Sequence, residues 1–114
     1  MTRRLLLIDD DEAIQVTLSA LLELEGFVVS VAANEREARH LLLEGEYEAV
    51  LLDWRLERSS GAQLLEPIHE HQSGARVVVI TGERSEVQGV ADIHGIHEKT
   101  DDFMQLARLL SAAD

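Results

Sequence analysis

A short apolar run followed by a longer segment of helical period recurs five times along this chain. Residues 5–8, Leu-Leu-Leu-Ile, read as a buried strand, and Ile14, Leu18, Leu21 and Leu22 then fall on one helical face at i, i+4, i+7 and i+8. Gly26 stands where a left-handed C-cap would close that helix. A second strand is expected over 27–32. Asn34, with Glu37 three residues on, forms a capping-box pair opening a helix whose inner face is Ala38, Leu41 and Leu42, and Gly45 ends it. Residues 49–52 predict a third buried strand. The helix after Gly61 carries Leu64, Leu65 and Ile68; Pro67 falls near its first turn, where a missing N–H costs little. A fourth strand is expected over 77–80. Residues 85–94 predict a short helix weakened by Gly89, and 96–98 a fifth strand made poor by His97 and Glu98. Phe103, Leu106, Ala107 and Leu110 then form a helical stripe, with Thr100 as the expected N-cap and Asp101 and Asp102 at the positive end of the helix dipole.

Strands that are apolar throughout, alternating with helices, argue for a parallel sheet covered on both faces. Right-handed crossovers leave few topologies, and the flavodoxin-like order 2-1-3-4-5 is the usual one for five strands. The expected fold is therefore an α/β, doubly wound, five-stranded parallel sheet. With 114 residues, one proline, seven glycines, no internal repeat and no linker-like stretch, the chain reads as a single domain over 1–114. A domain of that length buries roughly 65% of its unfolded surface without staples.

Charge and cysteine usage narrow the partners. There are 22 acidic against 10 basic residues, a formal net charge of −12. That balance argues against direct contact with nucleic acid or an anionic membrane surface, both of which require a basic face. Cysteine is absent, so no disulfide framework, thiolate metal site or cysteine nucleophile is available. A reducing, cytoplasmic setting is expected. The longest apolar runs are four residues, far short of the ~18 needed to span a bilayer. Arg3 and Arg4 lead into Asp9-Asp10-Asp11 rather than into the apolar core of a signal peptide.

In a parallel sheet the carboxyl ends of all strands share one edge, so the residue after each apolar run is a candidate for one site. Here those residues are Asp9 and Asp10, Asp53, Thr81, and Lys99, the only lysine in the chain. The order 2-1-3-4-5 makes strands one, three and four neighbours, which crowds three carboxylates together. Their repulsion would raise at least one pKa unless a cation and the lysine neutralise it. An all-oxygen ligand set with room for waters and a phosphate suits Mg²⁺ better than zinc or copper. Any one of these residues alone is unremarkable: an aspartate after a strand is often only an N-cap, the role expected of Asp11. Their joint placement is the signal.

Leu-Leu-Leu-Ile-Asp9-Asp10-Asp11, Ala-Val-Leu-Leu-Asp53-Trp-Arg-Leu with Gly61, and Val-Val-Val-Ile-Thr81-Gly82 together resemble the receiver domain of bacterial two-component response regulators. The resemblance covers essentially the whole chain. It implies that Asp53 is the phosphoacceptor, that Asp9 and Asp10 hold Mg²⁺ with the backbone carbonyl of Arg55 as a further ligand, that Thr81 grips the phosphoryl oxygens, and that Lys99 pairs with the phosphoryl group. It also implies a histidine kinase or phosphotransfer protein as donor, and a downstream protein or covalently linked output domain as target. A phosphorylation-dependent dimer is among the outcomes it allows. Such a chain assists its own phosphorylation and dephosphorylation but is a switch rather than a turnover enzyme. The four residues that close the chain read as the start of a linker, so an N-terminal receiver of a longer regulator is one expectation.

The sequence departs from the family pattern in four places. Thr100 replaces the proline after the lysine and its cis peptide. Leu56-Glu57 replaces a Met-Pro pair, which implies a looser loop after strand three. Ile96 stands where a switch aromatic is usual. Lys99 follows Thr81 by only 18 positions (99 − 81), which implies a truncated fourth helix. These departures sustain an alternative, a degenerate receiver acting as a constitutive interaction module. A phosphatase with an aspartyl nucleophile is a weaker rival, because Trp54 and Arg55 stand where a second acid would be wanted. Trp54 is expected as a half-exposed lid beside the acceptor, Arg55 and Glu83 as tuners of acyl-phosphate hydrolysis, and His94 and His97 in a solvated loop rather than a metal site.

Overall fold

The structure, a computed structural model, describes residues 3–111. Five strands, β1 (Arg3–Ile8), β2 (Phe27–Ala32), β3 (Ala49–Asp53), β4 (Arg76–Thr81) and β5 (Gly95–Glu98), form one sheet in the order β2-β1-β3-β4-β5, every pairing parallel. Four α-helices accompany them: α1 (Glu12–Leu24), α2 (Glu35–Glu44), α3 (Leu65–His71) and α4 (Phe103–Ser111). This is the doubly wound flavodoxin-like arrangement expected from the sequence.

Two cores explain why β1, β3 and β4 contain no polar alternation. Side chains of alternate parity leave each strand on opposite faces. Leu6, Ile8, Val50, Leu52, Val77 and Val79 pack under Ala38 and Leu42 of α2 and Ile68 of α3. Leu5, Leu7, Leu51, Val78 and Ile80 pack under Leu22 of α1 and Leu106 and Leu110 of α4. A strand covered on both faces has no polar side to display.

Local chemistry sets the helix ends. Asp11 caps α1, its carboxylate accepting from Ile14 N–H at 3.2 Å, and Gly26 follows the helix with φ +96°. At α2, Asn34 Oδ1 accepts from Glu37 N–H at 2.8 Å, and the reciprocal arm of Glu37 reaches Ala33 N–H at 2.7 Å. Gly61–Leu64 forms a 3-10 turn ahead of α3, so Pro67 is the third residue of the α-helix, where its absent N–H deprives no carbonyl.

Four expectations are corrected. No α-helix forms over 85–94; a 3-10 turn over Arg84–Glu86 is the only helical piece between β4 and β5. Gly89 and Asp92 both take positive φ, +87° and +64°, which interrupts any right-handed helix. Val87, Val90 and Ile93, spaced by three, instead turn onto the α2–α3 side of the sheet. Secondly, the cap of α4 is Asp102, which accepts from Met104 N–H at 3.2 Å, and not Thr100. Thirdly, His97 is not in a solvated loop: it lies in β5 opposite Ile80, 6% exposed, and burial lowers its pKa. His94 Nδ1 accepts from Val77 N–H at 2.9 Å. Fourthly, the loop after β3 is pinned: Leu56 is buried, Arg55 and Ser60 form an antiparallel bridge, and Gly61 N–H donates to Trp54 O at 2.9 Å. The described residues contain no cis peptide bond, consistent with threonine at position 100.

Candidate functional site

The carboxyl edge of the sheet assembles the site. Asp9 follows β1 and is anchored by its own N–H to Ala32 O of β2 at 3.0 Å. Asp53 is the last residue of β3, in register with Ile80, and Thr81 is the last of β4, in register with Glu98. Asp9, Asp10 and Asp53 each offer a carboxylate oxygen such that the three lie within 4.8 Å of one another. Asp9 is 0% exposed and Asp53 2%, while Asp10 is half-buried.

Each acid is held by a backbone donor. Asp9 Oδ1 accepts from Asp11 N–H at 2.9 Å, Asp53 Oδ1 accepts from Arg55 N–H at 3.2 Å, and Asp10 Oδ2 accepts from Glu57 N–H. Gln15 Nε2 donates to the Asp9 carbonyl at 2.6 Å, tying the first loop to α1. Gly61 is required by the same crowding: a Cβ there would lie 2.4 Å from the Asp53 carbonyl oxygen.

The electrostatics follow from burial. Desolvation and then the charge of Asp9 push Asp53 up to about 6, opposed by the Arg55 N–H and by Lys99. Desolvation raises Asp9 as well, opposed by the Asp11 N–H and Lys99. Asp9 Oδ2 is buried without any hydrogen-bond partner. A convergent, all-oxygen set with an orphaned carboxylate oxygen fits a hard divalent cation.

The cationic and hydroxyl members flank the acids. Lys99 is exposed, and its N–H donates to Thr81 O at 2.9 Å, which fixes its turn to the end of β4. Thr81 is buried, and its hydroxyl donates to Glu83 O at 3.1 Å and accepts from Glu83 N–H at 3.2 Å. Arg55 projects outward and pairs with Glu86 at 2.8 Å, while Trp54 is half-buried against the α2–α3 side. Sequence reasoning singled out every acid of the pocket, Thr81 and Lys99. It missed Gln15, Glu57 and Arg84, which act through a side-chain amide on a backbone carbonyl, a backbone N–H and a guanidinium respectively, and carry no local pattern.

An α/β domain with a buried acid cluster, a threonine and a lysine at the carboxyl edge of its sheet is the class that fold and site define. The model of the response regulator receiver domain matches residues 5–105. The chain is 30% identical over 104 residues to the transcriptional regulatory protein SrrA of Staphylococcus aureus, covering 91% of this chain and 42% of that protein. Among solved structures it is similar to a response regulator from Burkholderia pseudomallei with a phosphorylated aspartic acid, calcium ion and citrate (30% identity, TM-score 0.87, covering 95% of this chain and 66% of that one). A receiver domain from Methylobacillus flagellatus superposes with TM-score 0.90 at 23% identity over the whole of both chains, a likeness of fold. The chain belongs to the response regulator receiver domain family.

Proposed function

We propose that this domain accepts a phosphoryl group on Asp53 from a histidine kinase or phosphotransfer protein and thereby switches the binding of a downstream partner. The convergence of Asp9, Asp10 and Asp53 carries this reading. The Burkholderia relative, solved with a phosphorylated aspartic acid and a calcium ion, supports it by likeness. In this reading Asp9, Asp10, Asp53 and the carbonyl of Arg55 would hold a divalent cation, Mg²⁺ in the cell, which would supply charge neutralisation for the acids and the incoming phosphoryl group.

Asp53 is the nucleophile. A folded-state pKa of about 6 leaves it ionised at neutral pH. Its oxygen forms the O–P bond as the P–N bond of phosphohistidine breaks, and the departing imidazole takes up a proton. Lys99 then pairs with the phosphoryl oxygens. Thr81 gives up its contacts with Glu83 to donate to the same group, which carries the change into the β4–β5 connection. By family resemblance Arg55 and Glu83, two positions after Asp53 and Thr81, tune hydrolysis of the acyl phosphate, and in this reading the domain also contributes to its own dephosphorylation.

The chain spans 42% of SrrA, which supports an output domain elsewhere on the same polypeptide. No helix among the described residues is long and apolar enough to cross a membrane, and we place the domain in the cytoplasm, away from direct contact with nucleic acid. The intact acid cluster, Thr81 and Lys99 favour this reading over a degenerate interaction module. Acetyl phosphate with Mg²⁺ should add one phosphoryl group, visible as a single mass increment and a change in Trp54 fluorescence. Both should vanish in Asp53→Asn. Equal responses of the two proteins would exclude Asp53 as the acceptor.

A further inference from the structure

Lys99 stands on the turn joining β5 to α4, followed by Thr100, whose φ carries no ring constraint. The Lys99 N–H already ties that turn to Thr81 O, and a residue on another element adds side-chain contacts to it. Arg84, three residues beyond Thr81, donates its backbone N–H to Glu98 Oε1 at 3.0 Å. Its guanidinium donates to Ile96 O at 3.1 Å and to Asp101 Oδ2 at 3.0 Å, with Nε 3.5 Å from Glu98 Oε1. The two carboxylates are themselves part of the turn: Asp101 Oδ2 accepts from Glu98 N–H at 3.0 Å, and Asp101 N–H donates to Glu98 O at 2.8 Å. One planar fork therefore binds acceptors on both sides of Lys99.

We propose that Arg84 is a positioning residue that holds the Lys99 turn against the end of β4, so that the ammonium is aimed at the phosphoryl group on Asp53. An isolated ion pair at this exposure would contribute little. A rigid guanidinium engaging acceptors on β5, at Ile96 and Glu98, and in the turn after it, at Asp101, acts instead on the order of that junction. A lysine, with a point charge, could keep only part of the arrangement. The inference rests on the reading of Lys99 as the phosphoryl partner given above.

The test measures the rate of phosphorylation by acetyl phosphate, by intact mass, and the Mg²⁺ dissociation constant, by Trp54 fluorescence, for wild type, Arg84→Ala, Arg84→Lys, Lys99→Ala and the double variant Arg84→Ala/Lys99→Ala. Because displacing a charge at the reacting centre is costly in rate, Arg84→Ala should slow phosphorylation by about tenfold, with Arg84→Lys recovering part of it. Mg²⁺ affinity, set by the acids, should stay within about twofold, and in the Lys99→Ala background removing Arg84 should change the rate by less than about twofold, the signature of two residues acting as one unit. A wild-type rate in Arg84→Ala, or an equal loss with and without Lys99, would overturn the inference alone. A wild-type rate in Lys99→Ala would instead remove the reading of Lys99, and the inference with it.

Discussion

Asp53 is ionised at neutral pH in a place that disfavours charge, and this has a measurable sign. A carboxyl whose folded-state pKa is raised from 3.8 to about 6 stabilises the fold below pH 3.8 and loses that contribution as pH climbs through about 6. Asp53→Asn removes the burden. In chelator-treated buffer the variant should exceed wild type at pH 8 by up to about 3 kcal/mol, the equivalent of the shift at 1.36 kcal/mol per unit, and the gap should close by pH 4. Urea unfolding at both pH values checks it; a gap independent of pH would mean that the three acids do not share a desolvated pocket. Gly61 is constrained by a different force. A methyl group 2.4 Å from the Asp53 carbonyl must displace main chain, so Gly61→Ala should cost about 1–3 kcal/mol and weaken Mg²⁺ binding with it. Gly61 was legible as part of a motif, whereas the carbonyl that demands it is visible only once β3 and the following loop are in place.

At the level of elements, caps show how far local chemistry reaches. Asn34 and Glu37 act as their spacing predicts, because a capping box is closed within four residues and needs nothing from the rest of the chain. Asn34→Ala should therefore cost about 1 kcal/mol in urea unfolding, and Asn34→Asp should restore it. A cost near zero would mean that water replaces the side chain at no penalty. The cap of α4 is Asp102 rather than Thr100, since Asp101 and Glu98 are drawn to Arg84 and the helix starts only after that turn is closed. The absent helix over 85–94 has a related cause. Apolar residues spaced by three, with positive φ at Gly89 and Asp92, suit a chain lying in irregular turns against the α2–α3 face of the sheet better than one coiling above it.

For the molecule as a whole, the net charge of −12 has two components. Most acids lie on solvated helix faces and turns, but three are concentrated where a cation can relieve them. Binding to the native state alone should stabilise wild type by roughly 2.7 kcal/mol at a Mg²⁺ concentration 100 times its dissociation constant. The same concentration should shift the melting temperature of Asp53→Asn much less, and NaCl of equal ionic strength should not reproduce the wild-type shift. Equal shifts in both proteins would point to general screening of the acidic surface.

The sequence alone determined the strand–helix alternation, the parallel sheet and its order, and the set of residues at its carboxyl edge. Apolar periodicity and the handedness of crossovers act through short-range sterics and burial, which leave a repeating mark along the chain. Only the tertiary structure decided that Gln15 and the Glu57 N–H brace the acids, that His97 is buried, that no helix spans 85–94, and that Arg84 ties down the turn of Lys99. Those features depend on groups distant along the chain meeting in space, where a backbone donor or a long flexible side chain serves without any local pattern to announce it.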